Sequence, residues 1–222
     1  MKYWNLVLTS IVLAISSSAN AALISRLGGQ AAYDTDLDIT WLTNTQAAAG
    51  TAFADPYGAM SWGNSKAWAA SLIVDGHSGW RLPTTSTIDS SCTLDHAGAL
   101  PSTVVSGWNC NGSEMGHLFY NELGGTAGGN IINSTDPDLA LFSFSPWLLF
   151  WSDTPYDNDG INAWAFNFSS GEQTGSYSLA GYQALAVRDG DIALATVPVP
   201  AAVWLFGSGL IGLAGVAKRK KA

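Results

Sequence analysis

The feature that most constrains this chain is an uncharged apolar run at residues 201–217, closed by the basic cluster at 218–221. Helical residues rise about 1.5 Å each, so the run reaches roughly 26 Å, just short of a hydrocarbon core of about 30 Å. Counting from Val197 closes that gap. Val203, Leu205, Phe206, Leu210, Ile211, Leu213 and Val216 each favour insertion by about 0.3 to 0.6 kcal/mol, a few kcal/mol together. The expectation is a C-terminal transmembrane helix at 201–217 with its cations on the cytoplasmic side, where Lys and Arg accumulate. Within it, Gly207, Gly209 and Gly212 match the letters of the dinucleotide fingerprint. No βαβ unit or later acidic residue follows, so small residues packing in lipid are the better reading.

Ahead of the run stand Val197, Pro198, Val199, Pro200 and Ala201. Pro-spaced motif, apolar run and basic cluster together resemble the sorting signal of PEP-CTERM proteins, bacterial exported proteins handled by the membrane transpeptidase exosortase. Val199 replaces the family's central acidic residue, which is similar to the VPxPA form. The resemblance implies an exosortase-type partner that cleaves near Val197, Pro198, Pro200 and Ala201. The chain would then sit in the inner membrane before processing and at the cell surface or in the matrix afterwards. A permanent single-span anchor is the alternative.

The N-terminus carries a matching export pattern: Lys2, an apolar stretch at 6–15, and Ala19 and Ala21 as a small-x-small cleavage site. Residues 1–21 are therefore expected to be a signal peptide. Residues 22–189 are the expected globular domain, 190–196 a linker, and 197–222 the sorting signal. A body of this size buries about 70% of its unfolded surface as one domain.

All 17 acidic residues lie in the body, against only Arg26, Lys66, Arg81 and Arg188. That field repels phosphate polymers and excludes nucleic acid as a partner, leaving neutral glycans, cations and basic surfaces. The chain has 2 cysteines, Cys92 and Cys110. Outside the cytoplasm they are expected to pair, closing a loop worth roughly 3 kcal/mol.

The pattern predicts an α+β domain with short antiparallel strands and two helices. Residues 31–33 and 39–42 read as strands joined by Asp34, Asp36 and Asp38. Ser61 can cap a helix running to about Ile73, with Trp62, Lys66, Ala69 and Ile73 on one face. Ser113 can cap a second, carrying Met115, Leu118, Phe119 and Glu122 and stopped by Gly124 and Gly125. Residues 147–151 read as a buried run. Trp164, Phe166 and Phe168 alternate along a strand that turns at Gly171, and 182–188 form the last strand.

Thr40-Trp41, the stretch 62–68, Gly79-Trp80-Arg81-Leu82-Pro83-Thr84, Trp151 to Thr154, Ala163-Trp164, Phe168 with Gly171, and Val187-Arg188 appear in this order. They resemble the DUF1566 family, the C-terminal domain of collagen-like adhesins, and Gly-Trp-Arg-Leu-Pro-Thr is the most specific piece. The family usually continues that motif into a helix; here residues 86–92 depart from it. The resemblance implies a single C-type-lectin-like domain, most of whose relatives have no assigned activity and some of which sit on glycan-binding surface proteins.

The chemistry-bearing residues are scattered. Arg81 and Arg188 fall in the matching motifs and read first as structural ties to an aspartate. Asp34, Asp36 and Asp38 can share a face and hold Ca²⁺ with oxygen ligands, though a solvated turn is the plainer reading. Asp157 to Gly160 has a calcium look without an EF-hand frame. Glu114 and His117 have the spacing of a carboxylate-bridged metal pair but no second copy. His77, His96 and His117 show no ligand spacing, no G-x-S-x-G elbow exists, and the reading assigns no catalytic residue, no metal and no cofactor.

Eight of the 10 tryptophans lie in the body. Trp41, Trp80, Trp151 and Trp164 are expected in the core. Trp108, in the Gly-rich loop beside Cys110, is the expected exposed ligand contact. The expected function is non-catalytic: binding or matrix structure linked to exopolysaccharide in a biofilm. The alternatives are an extracellular hydrolase acting on a surface polymer and a calcium-stabilised structural module.

Overall fold

The computed structural model describes residues 23–93, 106–156 and 160–192. The expected signal peptide at 1–21, the expected sorting motif at Val197, Pro198, Pro200 and Ala201, the apolar run and the basic cluster all lie outside these residues. Among the described residues no helix is long and apolar enough to cross a membrane. The described residues up to Asp191 form one compact unit.

Two four-stranded sheets and two short helices make that unit, an α+β arrangement. The first sheet begins with β1 (Leu23–Arg26), a strand the pattern did not announce. It pairs antiparallel with β2 (Ala31–Asp34), which forms the expected hairpin with β3 (Ile39–Leu42). Asp34 closes the turn between them by accepting the Asp36 and Leu37 N–H groups on Oδ1 at 3.1 and 3.0 Å. Such an Asx turn satisfies backbone donors that the tight reversal would otherwise strand.

The second sheet holds β4 (Leu149–Pro155), β5 (Asn162–Asn167) and β6 (Glu172–Tyr177) as an antiparallel meander. The last stretch differs from expectation. It is not one strand but two: β7 (Gln183–Ala184) lies parallel to β4, and β8 (Val187–Asp189) crosses to pair with β3 in the first sheet. Leu185 and Ala186 make the crossing fully buried. One short apolar segment thus stitches the two sheets together, and β4–β7 is an exception to the expected all-antiparallel pairing.

Helix α1 (Trp62–Ser71) begins at the expected cap, where Ser61 Oγ accepts the Asn64 N–H at 3.4 Å. Its buried residues are Ser65, Trp68 and Ala69; of the expected stripe Trp62, Lys66, Ala69 and Ile73 only Ala69 is buried, together with Trp68, expected beside it. The helix stops before Ile73, which is exposed, and the Lys66 ammonium rests 4.5 Å from the Trp62 ring centroid near the surface. The second helix, α2 (Glu114–His117), runs on as a π-helical turn, Leu118–Glu122. Ser113 does not cap it with its side chain. Instead the Ser113 hydroxyl accepts from Ser86 N at 2.8 Å and donates to Gln173 Oε1 at 2.6 Å, tying three segments together. Gly116 is needed here, because a Cβ at that position would strike the Cys110 carbonyl.

The main core joins both sheets to this helix. Met115, Leu118, Phe119 and Leu123 pack with Ile39, Trp41 and Val187 of the first sheet and with Phe150, Phe166 and Phe168 of the second. The rings of Phe119, Phe166 and Phe168 meet edge-on or tilted at 5.1 to 5.7 Å between centroids, the arrangement ring quadrupoles favour. Each buried phenylalanine contributes about 2 to 3 kcal/mol of transfer free energy. On its other face β4 meets α1, and Trp151 Nε1 donates to the Met60 carbonyl at 2.9 Å. Burial on both faces accounts for the unbroken apolar stretches Leu149 to Trp151 of β4 and Ala163 to Phe166 of β5.

Candidate functional site

Trp147 corrects one expectation directly. The pattern placed it at the start of a buried strand, yet β4 begins two residues later and Trp147 stands 61% exposed. Across from it Tyr57 is 65% exposed. Between the two lies a cleft of about 490 Å³, floored by Leu148, Leu149, Tyr182 and Gln183 and rimmed by Asp55. The cleft runs along β7, an edge of the second sheet. Gln183 is held rigidly: its Nε2 donates to the Tyr57 carbonyl at 3.0 Å and to Ser145 Oγ at 2.9 Å. Its Oε1 is buried with no hydrogen-bond partner. Asp55 Oδ1 accepts the Tyr57 and Ala59 N–H groups at 2.8 and 2.9 Å, which fixes the loop that carries Tyr57. The arrangement offers two exposed aromatic rings beside a fixed amide, a means by which a protein holds a ring with apolar faces.

The Gly-Trp-Arg-Leu-Pro-Thr stretch serves a different purpose. Arg81 pairs its backbone in both directions with Val187 of β8 at 2.8 Å. Its guanidinium grips Glu114 with Nη1 and Nη2, each at 2.8 Å, and reaches Asp189 at 2.6 Å. The Glu114 hydrogen bonds and charge, with Asp189 behind them, outweigh burial and hold Arg81 above the usual guanidinium range. Glu114 also accepts the Thr84 N–H at 2.7 Å. Arg188 donates to the Ser78 carbonyl at 2.9 Å. Both arginines are therefore structural ties, and the bidentate fork suits the task.

A third group comes together without any sequence signal. Asp34 of β2, His117 of α2 and Glu122 of the π-turn meet in the interior, each buried. His117 Nε2 lies 3.0 Å from Glu122 Oε1 and 3.9 Å from Asp34 Oδ2. Trp41 Nε1 donates to the same Asp34 oxygen at 3.3 Å. Burial disfavours the imidazolium, but the hydrogen bond to Glu122 and the charges of Asp34, Glu122 and Asp36 together outweigh it, so His117 sits above its ordinary value. Residues five apart do not share the face of an α-helix, whereas a wider π-turn brings them together, and π-bulges recur at functional sites. Nothing in the spacing of 34, 117 and 122 announces this cluster.

The remaining expected residues separate. Trp108 is half-buried, its backbone paired with Thr93 at 2.7 and 3.2 Å, so it is not the exposed platform expected of it. The Cys92–Cys110 disulfide is present beside it. Asp34, Asp36 and Asp38 do not share a face: Asp34 is buried, Asp36 is exposed, and Asp38 accepts from the Tyr33 hydroxyl at 2.8 Å. Glu114 and His117 part company, one turned to Arg81 and the other to Glu122. His96 and residues 157–159 lie outside the described residues.

Two short-stranded sheets, an arginine-pinned motif and an aromatic cleft define an α+β domain. The model of the Lcl C-terminal domain family matches residues 30–188, and the chain belongs to that family. No curated protein matches the chain.

Proposed function

We propose that this chain is an exported, non-catalytic binding protein of the bacterial cell surface or extracellular matrix whose ligand is a neutral glycan held in the Trp147–Tyr57 cleft. The observation that carries the reading is the pair of exposed rings, Trp147 and Tyr57, that line one cleft. A pyranose ring presents apolar C–H faces to tryptophan and tyrosine. The strong acidity of the body favours an uncharged polymer over an anionic one. The reading includes a lectin-like character for the fold, export through residues 1–21, and processing at Val197, Pro198, Pro200 and Ala201 by an exosortase-type enzyme after a stay in the inner membrane. The disulfide between Cys92 and Cys110 fits an oxidising compartment.

The test is retention of the purified protein on the producing organism's own neutral exopolysaccharide, measured beside Trp147→Ala, Tyr57→Ala and Trp108→Ala. Loss of either cleft ring is expected to weaken retention about two- to tenfold, since a ring stack is worth about 0.5 to 1.5 kcal/mol. Trp108→Ala is expected to leave it unchanged. Equal retention by the wild type and a Trp147→Ala/Tyr57→Ala double variant sinks the cleft assignment, and release of shortened polymer replaces binding with hydrolysis.

A further inference from the structure

We propose that Asp34, His117 and Glu122 form a buried site for one divalent transition-metal cation of the Zn²⁺ kind, a clip between β2 and the second helix that is independent of the glycan cleft. The geometry comes first. One ligand atom from each residue lies within 4.8 Å of the other two, with His117 Nε2 at 3.0 Å from Glu122 and 3.9 Å from Asp34. Ligand atoms held about 2.0 to 2.2 Å from a shared cation stand about 3 to 4 Å apart, so little movement closes the shell.

Charge gives the second argument. Two buried carboxylates face one imidazole, while Arg81 is held by Glu114 and Asp189 and Arg26 by Asp191. A divalent ion beside a neutral imidazole balances the group.

The third observation points to the ligand itself. Glu122 is 2% exposed, and its Oε2 has no hydrogen-bond partner. A buried carboxylate oxygen left without a donor is costly, and a cation supplies what the protein does not. The surrounding contacts are those that orient metal ligands. Asp34 Oδ1 is fixed by the Asp36 and Leu37 N–H groups and Oδ2 by the Trp41 indole at 3.3 Å. The Asn121 amide lies 3.2 Å from His117 Nδ1, where turning it over presents its oxygen to an Nδ1 proton.

One imidazole and two carboxylates suit Zn²⁺, Fe²⁺ or Mn²⁺. They do not suit Ca²⁺, which takes six to eight oxygens, or Cu⁺, which prefers sulfur. His117, at 8% exposed, is the member nearest solvent and marks the way in.

The experiment strips the purified protein with a chelator and titrates it with ZnCl₂ by calorimetry, with melting temperature followed in parallel. The expected result is one ion per chain and a melting temperature that rises with ZnCl₂. Glu122→Gln, which keeps the shape of the side chain, and His117→Ala are each expected to weaken binding more than about 100-fold, beyond the usual loss for an outer-shell residue. Asp36→Ala, an exposed neighbour, is expected to bind as the wild type does. If His117→Ala does not fold, Glu122→Gln decides alone. No Zn²⁺ or Mn²⁺ uptake by the stripped wild type overturns the proposal, as does uptake that Glu122→Gln leaves unchanged.

Discussion

Glu114 and Glu122 stand at the two ends of one helical segment and are treated in opposite ways. Glu114 receives two hydrogen bonds from Arg81 and one from the Thr84 backbone, so its charge is matched and its acceptors are filled. Glu122 lies deeper, meets a single histidine nitrogen and keeps one oxygen unpartnered. The first is a fastening: it locks the Gly-Trp-Arg-Leu-Pro-Thr stretch and β8 onto the helix. The second is an incomplete polar shell in the interior. A protein interior tolerates few such groups, and each one asks what completes it. Full satisfaction marks residues that hold the fold, and partial satisfaction marks residues that await something else.

Three variants test that contrast. The largest effect is expected at the fastening. Arg81→Ala strands the Glu114 carboxylate, and because the pair is only partly buried, with side chains 28% and 15% exposed, the expected cost is about 2 to 3 kcal/mol rather than the larger figure for a fully enclosed pair. Chemical denaturation measures it. A loss below about 0.5 kcal/mol means that the pair is no fastening.

Tyr120, between the two glutamates, belongs with Glu114. Its hydroxyl accepts from Asn109 N at 2.8 Å and donates to the Gly171 carbonyl at 2.6 Å, joining the disulfide loop to the β5–β6 turn. Tyr120→Phe is expected to cost about 1 kcal/mol. Burial leads in raising its phenol above 10.0, with the Glu172 charge adding to it against the Asn109 N–H. A raised folded value gives stability that is complete below pH 10 and lost as pH rises through the folded value. The wild type is therefore expected to lose more stability than Tyr120→Phe above pH 10, and parallel curves would remove the phenol from the account.

The smallest effect is expected at Glu122. In the chelator-stripped protein Glu122→Gln removes an unbalanced buried charge while keeping an oxygen for His117, so the stability change is expected to stay below about 1 kcal/mol in either direction. A loss as large as that of Arg81→Ala erases the distinction between the two ends of the segment.

Much of this architecture is legible in the chain. The β2–β3 hairpin follows from two short apolar strands around an aspartate-rich turn, and the α1 start follows from Ser61. Trp41, Trp80, Trp151 and Trp164 fall in the core as their surroundings imply. The second helix is legible in its apolar spacing but not in its register, because the π-turn depends on what Gly116 and the disulfide loop allow it to pack against. Trp147 read as buried because its neighbours are apolar, and only the start of β4 at Leu149 turns it outward.

The sequence by itself determined an acidic body rich in tryptophan, with two cysteines, an arginine-bearing motif and short strands, since each of these is local in composition or spacing. Tertiary structure alone decided that the last apolar stretch divides between two sheets, that Trp147, Tyr57 and Gln183 line one cleft, and that Asp34 meets His117 and Glu122. Those contacts join residues far apart along the chain, and no periodicity encodes a meeting that depends on how separate elements pack.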